Sequence, residues 1–331
     1  MSAGPLLVKN TSVVLLRARR FFGANIVNLP AIYFVKKYLN SAHLTLFSDN
    51  NLRAFYAQIP WVDLHYETQS FVKTWQRIPK NTSLLYCMRP SMDSAPLFKW
   101  FNGIPTTIGL DLRSGFLNSL FDVHVPCHLT QYRAIAHLAP LLAYSQAPLE
   151  PHYYLREALL DLAEPTSPEN SVCLMPGAGG GEHKKWGIHQ FFTCAQQLQK
   201  TYPSLHFHFV LGQNEAKEKA FLLQQPSAAL NFSIQENLSL SALITLVENS
   251  LLTIANDCGP SHVSQCLTKP FIGLYKESNP EWFHAHSQSQ SLSPTNGPVS
   301  SISHHHVMNA SLRLLQQQKT RLTHQAGFRL A

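Results

Sequence analysis

Two hydrophobic patterns alternate along this chain. Short apolar runs, at Ser12–Leu16, Leu44–Phe47, Trp61–Tyr66, Leu84–Cys87 and Thr106–Leu110, suit strands of a parallel sheet. Between them, residues 26–39 carry Ala31, Phe34, Val35 and Tyr38 on one helical face, with Pro30 near the opening turn. Further helices are expected around 51–57, 70–76 and 95–101. The alternation resumes after residue 170 with strands at Val172–Met175, His206–Leu211, Asn231–Ile234, Leu251–Ala255 and Phe271–Tyr275. Helices are expected after Trp186, from Glu215, over Ser239–Glu248 and from Gly259. Such a series predicts an α/β fold of parallel sheets covered by helices, with ligands gathering at the carboxyl ends of the strands.

The stretch 161–170 has two prolines and little apolar content, as a linker should. It divides the chain into an expected first domain, 1–165, and a second, 166–331; the length of 331 residues is ample for two cores. Residues 287–303, rich in Ser, Gln and Pro, read as a long surface loop. The triplet His304, His305 and His306 reads as a solvated helix start rather than a metal site, because consecutive positions on a helix point different ways. Val307–Leu315 closes the chain as an amphipathic helix, which could pack back on the first domain.

Composition narrows the class. Lys and Arg number 26 against 19 Asp and Glu, a net charge of +7 with few charges overall. An anionic substrate or membrane surface fits; nucleic acid does not, since no zinc-finger spacing, aromatic RNA-binding run or long basic tract is present. Six cysteines without a Cys-x-x-Cys pair suggest buried thiols in a reducing compartment. Neither a signal-peptide pattern nor a membrane-length apolar run appears, so a cytoplasmic protein with peripheral membrane contact is expected.

Two runs carry the candidate chemistry. In the first, 171–186, a strand ends at Pro176 and opens into Gly177, Gly179, Gly180 and Gly181 before Lys184 and Lys185. Such a turn can aim amide N–H groups at a phosphate, or it can be a flexible connection with solvated lysines. It matches neither common nucleotide fingerprint, because Glu182 falls where each requires glycine. In the second run, 251–263, a strand delivers Asn256 and Asp257 to its end, and Gly259 and Pro260 lead into a helix containing His262. That helix start reads as a second anion site in the same domain. Asp257 either orients His262 or simply caps the helix.

Together these runs resemble the signatures of glycosyltransferase family 9, the heptosyltransferases. Matches at 103–109, 210–215, 238–240 and 243–244 extend the resemblance over nearly the whole chain. It implies a GT-B fold, two Rossmann-like domains facing across a cleft, with acceptor on the N-terminal side and nucleotide sugar on the C-terminal side. By resemblance Gly177, Gly179, Gly180 and Lys184 hold the donor diphosphate, Glu215 contacts the ribose, and Asp257, Gly259 and His262 form the second loop. The implied reaction moves a sugar, most often a heptose from an ADP-linked donor, to a lipopolysaccharide core or related anionic glycolipid with inversion. It needs no cofactor or metal, and no Asp-x-Asp is present to hold one.

One position departs from the family. Where its first βα loop carries the aspartate taken as general base, this chain has Ala24, and neighbouring Asn25 is no substitute. Asp93 and Asp111, both expected at strand ends, are the candidate replacements. The alternatives are a slow unassisted transfer or a catalytically silent nucleotide-sugar-binding paralogue; a sugar-nucleotide epimerase shares the architecture. Arg17, Arg19, Arg20, Lys36 and Lys37 on the acceptor side suit phosphorylated sugars, lipid headgroups or plain solvent.

Overall fold

The computed structural model describes residues 10–16, 21–48, 51–68, 70–88, 95–112, 115–126, 130–226 and 228–328. The chain forms two compact units, 1–158 and 159–331. Their boundary falls near the end of a helix, ahead of the proline-containing linker.

The first unit runs β1 (Asn10–Leu16), α1 (Phe22–Ile26), α2 (Leu29–Lys37), β2 (Ser41–Ser48), α3 (Arg53–Tyr56), β3 (Leu64–Glu67), α4 (Phe71–Arg77), β4 (Thr82–Cys87), α5 (Phe98–Asn102), β5 (Thr106–Leu110), β6 (Val123–Val125), α6 (Arg133–Ser145) and α7 (Pro151–Leu160). All neighbouring strands are parallel, in the order β3-β2-β1-β4-β5-β6. Side chains alternate between the faces, so Val13, Leu15, Leu85 and Cys87 join Phe98, Ile104 and Phe121 in one core. On that face Phe71 of α4 and Phe98 of α5 stack with centroids 4.6 Å apart. Ser70 caps α4 by accepting from Lys73 N at 3.3 Å.

The second unit repeats the plan: β7 (Ser171–Met175), α8 (Ile188–Thr201), β8 (His206–Leu211), α9 (Ala216–Leu223), β9 (Phe232–Glu236), α10 (Leu240–Asn249), β10 (Leu252–Asn256), α11 (Ser261–Cys266), β11 (Phe271–Leu274), β12 (Ser289–Leu292) and α12 (His304–Phe328). Its sheet, β12-β11-β10-β7-β8-β9, is also parallel throughout. Counted from its own first strand, this is the same order as in the first unit. In each unit the order reverses once, between β1 and β4 and between β7 and β10.

Two expectations change. The segment 287–303 is not wholly loop, because Ser289–Leu292 pairs with β11 as an edge strand. The C-terminal helix places Val307, Met308, Ala310, Leu314 and Leu315 in the second unit's own core. His304 starts that helix and stacks on Trp186, centroids 5.9 Å apart and planes 19° apart. Among the described residues no group of three or more His, Cys, Asp or Glu is arranged to hold a metal. Nor is any described helix long and apolar enough to cross a membrane. Cys87, Cys173, Cys194, Cys258 and Cys266 are buried thiols; Cys127 lies outside the described residues.

Candidate functional site

The two glycine-bearing runs leave adjacent strands. β7 and β10 are paired in register, Leu252 against Val172 through Ala255 against Met175, so both runs emerge at the same carboxyl edge. This is where the second sheet reverses its order, the place where parallel sheets open a crevice for ligands. Asn256, fully buried at the end of β10, ties the first run down at both ends. Its Nδ2 donates to Pro176 O at 2.7 Å and its Oδ1 accepts from Trp186 N at 3.0 Å. Trp186 is buried in turn and donates Nε1 to Ile302 O at 2.9 Å.

Between those anchors the loop carries its charge outward. Gly179, Gly180 and Gly181 are exposed, and Gly181 has φ +106°, a backbone state that side chains resist. A single 3₁₀ turn, Glu182–Lys184, separates them from α8. Lys184 reaches Asp257 on the second run, Nζ to Oδ2 at 2.6 Å, with side chains 36% and 23% exposed. Lys185 turns the opposite way, inward, to Glu218 at 2.7 Å and Glu182 at 2.8 Å. Burial disfavours its charge, yet the hydrogen bonds it donates to Glu182 and Glu218 outweigh that and raise its pKa. The lysine pair therefore divides into one fixed internal cation and one at the surface of the loop.

Glu215 stands beside the glycines. It is nearly buried, accepts from Gly212 N at 2.8 Å, and lies so close to Gly177 that a methyl there would be 2.6 Å from its Oε1. A side chain at 177 would therefore force the Glu215 carboxylate to move. On the second run α11 is a short helix of six residues that begins at Ser261, directly after Gly259 and Pro260. Asp257 pairs with Lys184 and caps nothing in α11. His262 is buried, its ring 5.5 Å from that of Trp282. Burial brings its pKa down to about 4 against the opposing pull of Asp257, so the ring is neutral at physiological pH. Gln265 Oε1 accepts from His284 N at 2.7 Å, which turns its amide nitrogen toward His262 Nδ1 at 3.2 Å. The proton of His262 is thereby assigned to Nε2.

The structure thus assembles Gly177, Gly179, Gly180, Lys184, Glu215, Asp257, Gly259 and His262 at the edge formed by β7, β8 and β10. Sequence reasoning missed Asn256 as the clamp and Lys185 as a buried ion. The only available signal for Asn256 was an amide at the end of an otherwise apolar strand.

The first unit's candidates are more dispersed. Ala24 lies in α1, and Asn25 beside it is buried, donating to Phe21 O at 3.0 Å and accepting from Tyr56 Oη at 3.3 Å. Asp111 follows β5 and contacts His124 of β6, Oδ1 to Nδ1 at 2.6 Å, with both side chains partly exposed. Asp93, Arg17, Arg19 and Arg20 lie outside the described residues. Lys36 is held by Asp63 at 2.7 Å and by Ala42 O at 3.0 Å, and Lys37 sits 5.8 Å from the Tyr33 ring centroid. An unexpected pair lies at the ends of neighbouring strands: His65 Nε2 meets Ser48 Oγ at 2.8 Å while its ring stacks on Tyr56. Burial, and then the charge of Arg53, lower the pKa of His65.

Two parallel six-stranded sheets, each with the order 3-2-1-4-5-6, and a glycine loop at the second reversal point make this a GT-B protein. The fold is shared with solved heptosyltransferases. An Escherichia coli heptosyltransferase with ADP superposes with a TM-score of 0.67 at 12% identity, over 92% of this chain and 99% of that one. The E. coli ADP-heptose lipopolysaccharide heptosyltransferase II gives 0.62 at 16% identity, over 93% and 99%. The chain belongs to glycosyltransferase family 9 (heptosyltransferase), whose profile matches residues 72–304. It is 24% identical over 217 residues to lipopolysaccharide heptosyltransferase 2 of E. coli (strain K12), covering 58% of this chain and 60% of that protein. That alignment spans less than two thirds of the relative's length.

Proposed function

We propose that this protein transfers a sugar, a heptose, from an ADP-linked donor to a lipopolysaccharide-type acceptor with inversion at the transferred carbon. The observation that carries the reading is the Lys184–Asp257 pair, which joins two loops at the second sheet's reversal point. One solved E. coli heptosyltransferase was captured both with ADP and with ADP-2-deoxy-2-fluoro heptose, which supports a donor of this kind. In this reading the amides around Gly177, Gly179 and Gly180 and the ammonium of Lys184 bind the diphosphate, while Asp257 keeps Lys184 in place. His262 adds a neutral donor and Glu215 lies toward the ribose, with Gly259 leaving the second loop's backbone uncovered. As the glycosidic bond breaks, negative charge grows on the leaving diphosphate, and these groups stabilise it. The reading requires no metal, so activity should persist in chelator.

The acceptor hydroxyl must lose a proton, and Ala24 cannot take it. We assign that role to a carboxylate after β4 or β5. Asp111, with His124 to share the proton, is one candidate; Asp93, following the strand beside the first sheet's reversal point, is the other. A place on the cytoplasmic face of a membrane, with an anionic glycolipid acceptor, completes the reading.

The test is transfer from ADP-heptose to heptose-deficient lipopolysaccharide by purified protein. Activity abolished by Lys184→Ala, and by Asp111→Asn or Asp93→Asn with donor binding retained, supports it. Tight ADP binding with no turnover on any acceptor would instead establish the silent paralogue that Ala24 suggests, and an epimeric nucleotide sugar formed without acceptor would establish an epimerase.

A further inference from the structure

The net positive charge of this protein is confined to one unit. Residues 1–158 hold 15 Lys and Arg against eight Asp and Glu, whereas residues 159–331 hold 11 of each. The first unit therefore carries the entire excess of +7. Part of it is concentrated at 70–102, where Lys73, Arg77, Lys80, Arg89 and Lys99 face a single acid in sequence, Asp93.

The same stretch exposes large apolar side chains. Val72 of α4 is 52% exposed, and Trp100 and Phe101 of α5 are 69% and 59% exposed. Phe116, in the turn before β6, is 83% exposed. Phe71 stacks on Phe98 of the core, and exposed Phe101 meets Phe71 and Trp75 edge-on at 5.7 and 6.0 Å. Hydrogen bonds fasten α5 to α4, from Trp75 Nε1 to Phe101 O and from Asn102 Nδ2 to Trp75 O, both at 3.4 Å. A firmly held aromatic surface is therefore turned to solvent, with exposed Lys73 and Arg77 on α4 itself, while Lys99 of α5 is paired with Asp122 at 2.6 Å.

We infer that the α4–α5 surface of the first unit seats the protein on an anionic lipid bilayer. Tryptophan and phenylalanine partition into the headgroup boundary, and neighbouring lysines and arginines gain from the negative surface potential. A protein partner would more often meet a surface depleted of lysine. The inference deepens the proposed function, because a glycolipid acceptor would be presented by such a surface. No residue of the donor loops takes part.

Flotation of the full chain with vesicles tests it. Wild type should float with phosphatidylethanolamine vesicles containing phosphatidylglycerol and hardly at all with pure phosphatidylcholine. The double variant W100S/F101S should lower the bound fraction roughly fivefold or more, with circular dichroism and ADP affinity unchanged. If that variant fails to fold, exposed Lys73→Glu gives an independent measurement, with a loss of about fivefold or more on anionic vesicles. Binding that ignores lipid charge, or survives these substitutions, overturns the inference. So does a concentration-dependent dimer of wild type that the double variant dissolves, which would make this face a self-association surface. Calorimetry with ADP reports separately: vesicle binding without ADP binding supports this surface while sinking the donor reading, and ADP binding without vesicle binding does the reverse.

Discussion

Lys184 and His262 separate two tasks that a single site residue often combines. Lys184 carries the charge, and its replacement by alanine should weaken ADP binding by about 10- to 100-fold, the worth of one charge-assisted contact. Lys184→Arg should keep part of that affinity; titration calorimetry measures both, and unchanged affinity in Lys184→Ala would remove the lysine from the site. His262 supplies a neutral, buried ring whose titration appears as stability. Its folded pKa of about 4 lies below the ordinary 6.5, so below that value the unfolded chain binds more protons. Stability from this source is complete above about pH 6.5, falls as pH drops, and levels off below about 4. His137, taken down to about 3 by burial and then by Arg133, acts with the same sign in the first unit. Urea unfolding between pH 7 and 4 should show the loss, and His262→Asn should reduce its slope. At this scale the two runs that carry Lys184, Asp257 and His262 were legible as short motifs, and the structure brings Lys184 and Asp257 into contact. Asn256 was not, since its partners are Pro176 and Trp186, far away in sequence and joined to it only when β10 lies beside β7.

The glycines of the β7–α8 loop are not equivalent, and a pair of substitutions shows it. Gly177→Ala sets a methyl against Glu215, whose other oxygen is bound to Gly212 N and which has little room to retreat. A loss of about 1–3 kcal/mol is expected, the usual result of overfilling a packed site. Gly179→Ala meets nothing within 4 Å and should leave stability unchanged. Thermal melts of the two variants make the comparison, and equal melting temperatures would contradict the close approach. Strands rich in Val, Ile and Leu were read correctly from their apolar runs, and α8 from the spacing of Ile188, Phe191, Phe192, Ala195 and Leu198. β12, with the sequence Ser-Gln-Ser-Leu, was missed because an edge strand partly open to solvent needs little hydrophobic content. β6, α6 and α7 went unassigned. β6 has only three residues, and Pro140 inside α6 argues locally against the helix that packing secures.

For the whole chain, two units of identical strand order differ sharply in charge, and ligand binding should respect the division. ADP at 100 times its dissociation constant should stabilise the second unit by about 2.7 kcal/mol. Hydrogen exchange should then show new protection around 176–186 and 256–263 and little in the first sheet; protection centred on β1 and β4 would place the nucleotide elsewhere. The two-unit parallel architecture was legible because alternation of strand and helix recurs on either side of a proline-rich stretch. The meeting of the two runs in the second unit was legible because each follows an apolar strand, and both runs lie within the matched residues 72–304. The surroundings of the first unit's candidate carboxylates were not. Ala24 precedes the matched region, and a base is recognised by what surrounds it across strands, as Asp111 acquires His124 only when β6 pairs with β5.

The grip of Asn256 on Pro176 O and Trp186 N turns the segment between them into a ring closed by one side chain. A ring closed during folding has already lost the entropy of bringing its ends together, so an arriving diphosphate need order only the exposed tip around Gly179–Gly181. Under the proposed function, the nucleotide therefore meets a receptor already shaped. Asn256→Asp, alike in size but unable to donate to Pro176 O, would open the ring on one side. Its effect should appear chiefly as slower nucleotide association with a more heterogeneous loop, while Lys184→Ala, which leaves the ring closed, should appear chiefly as faster release.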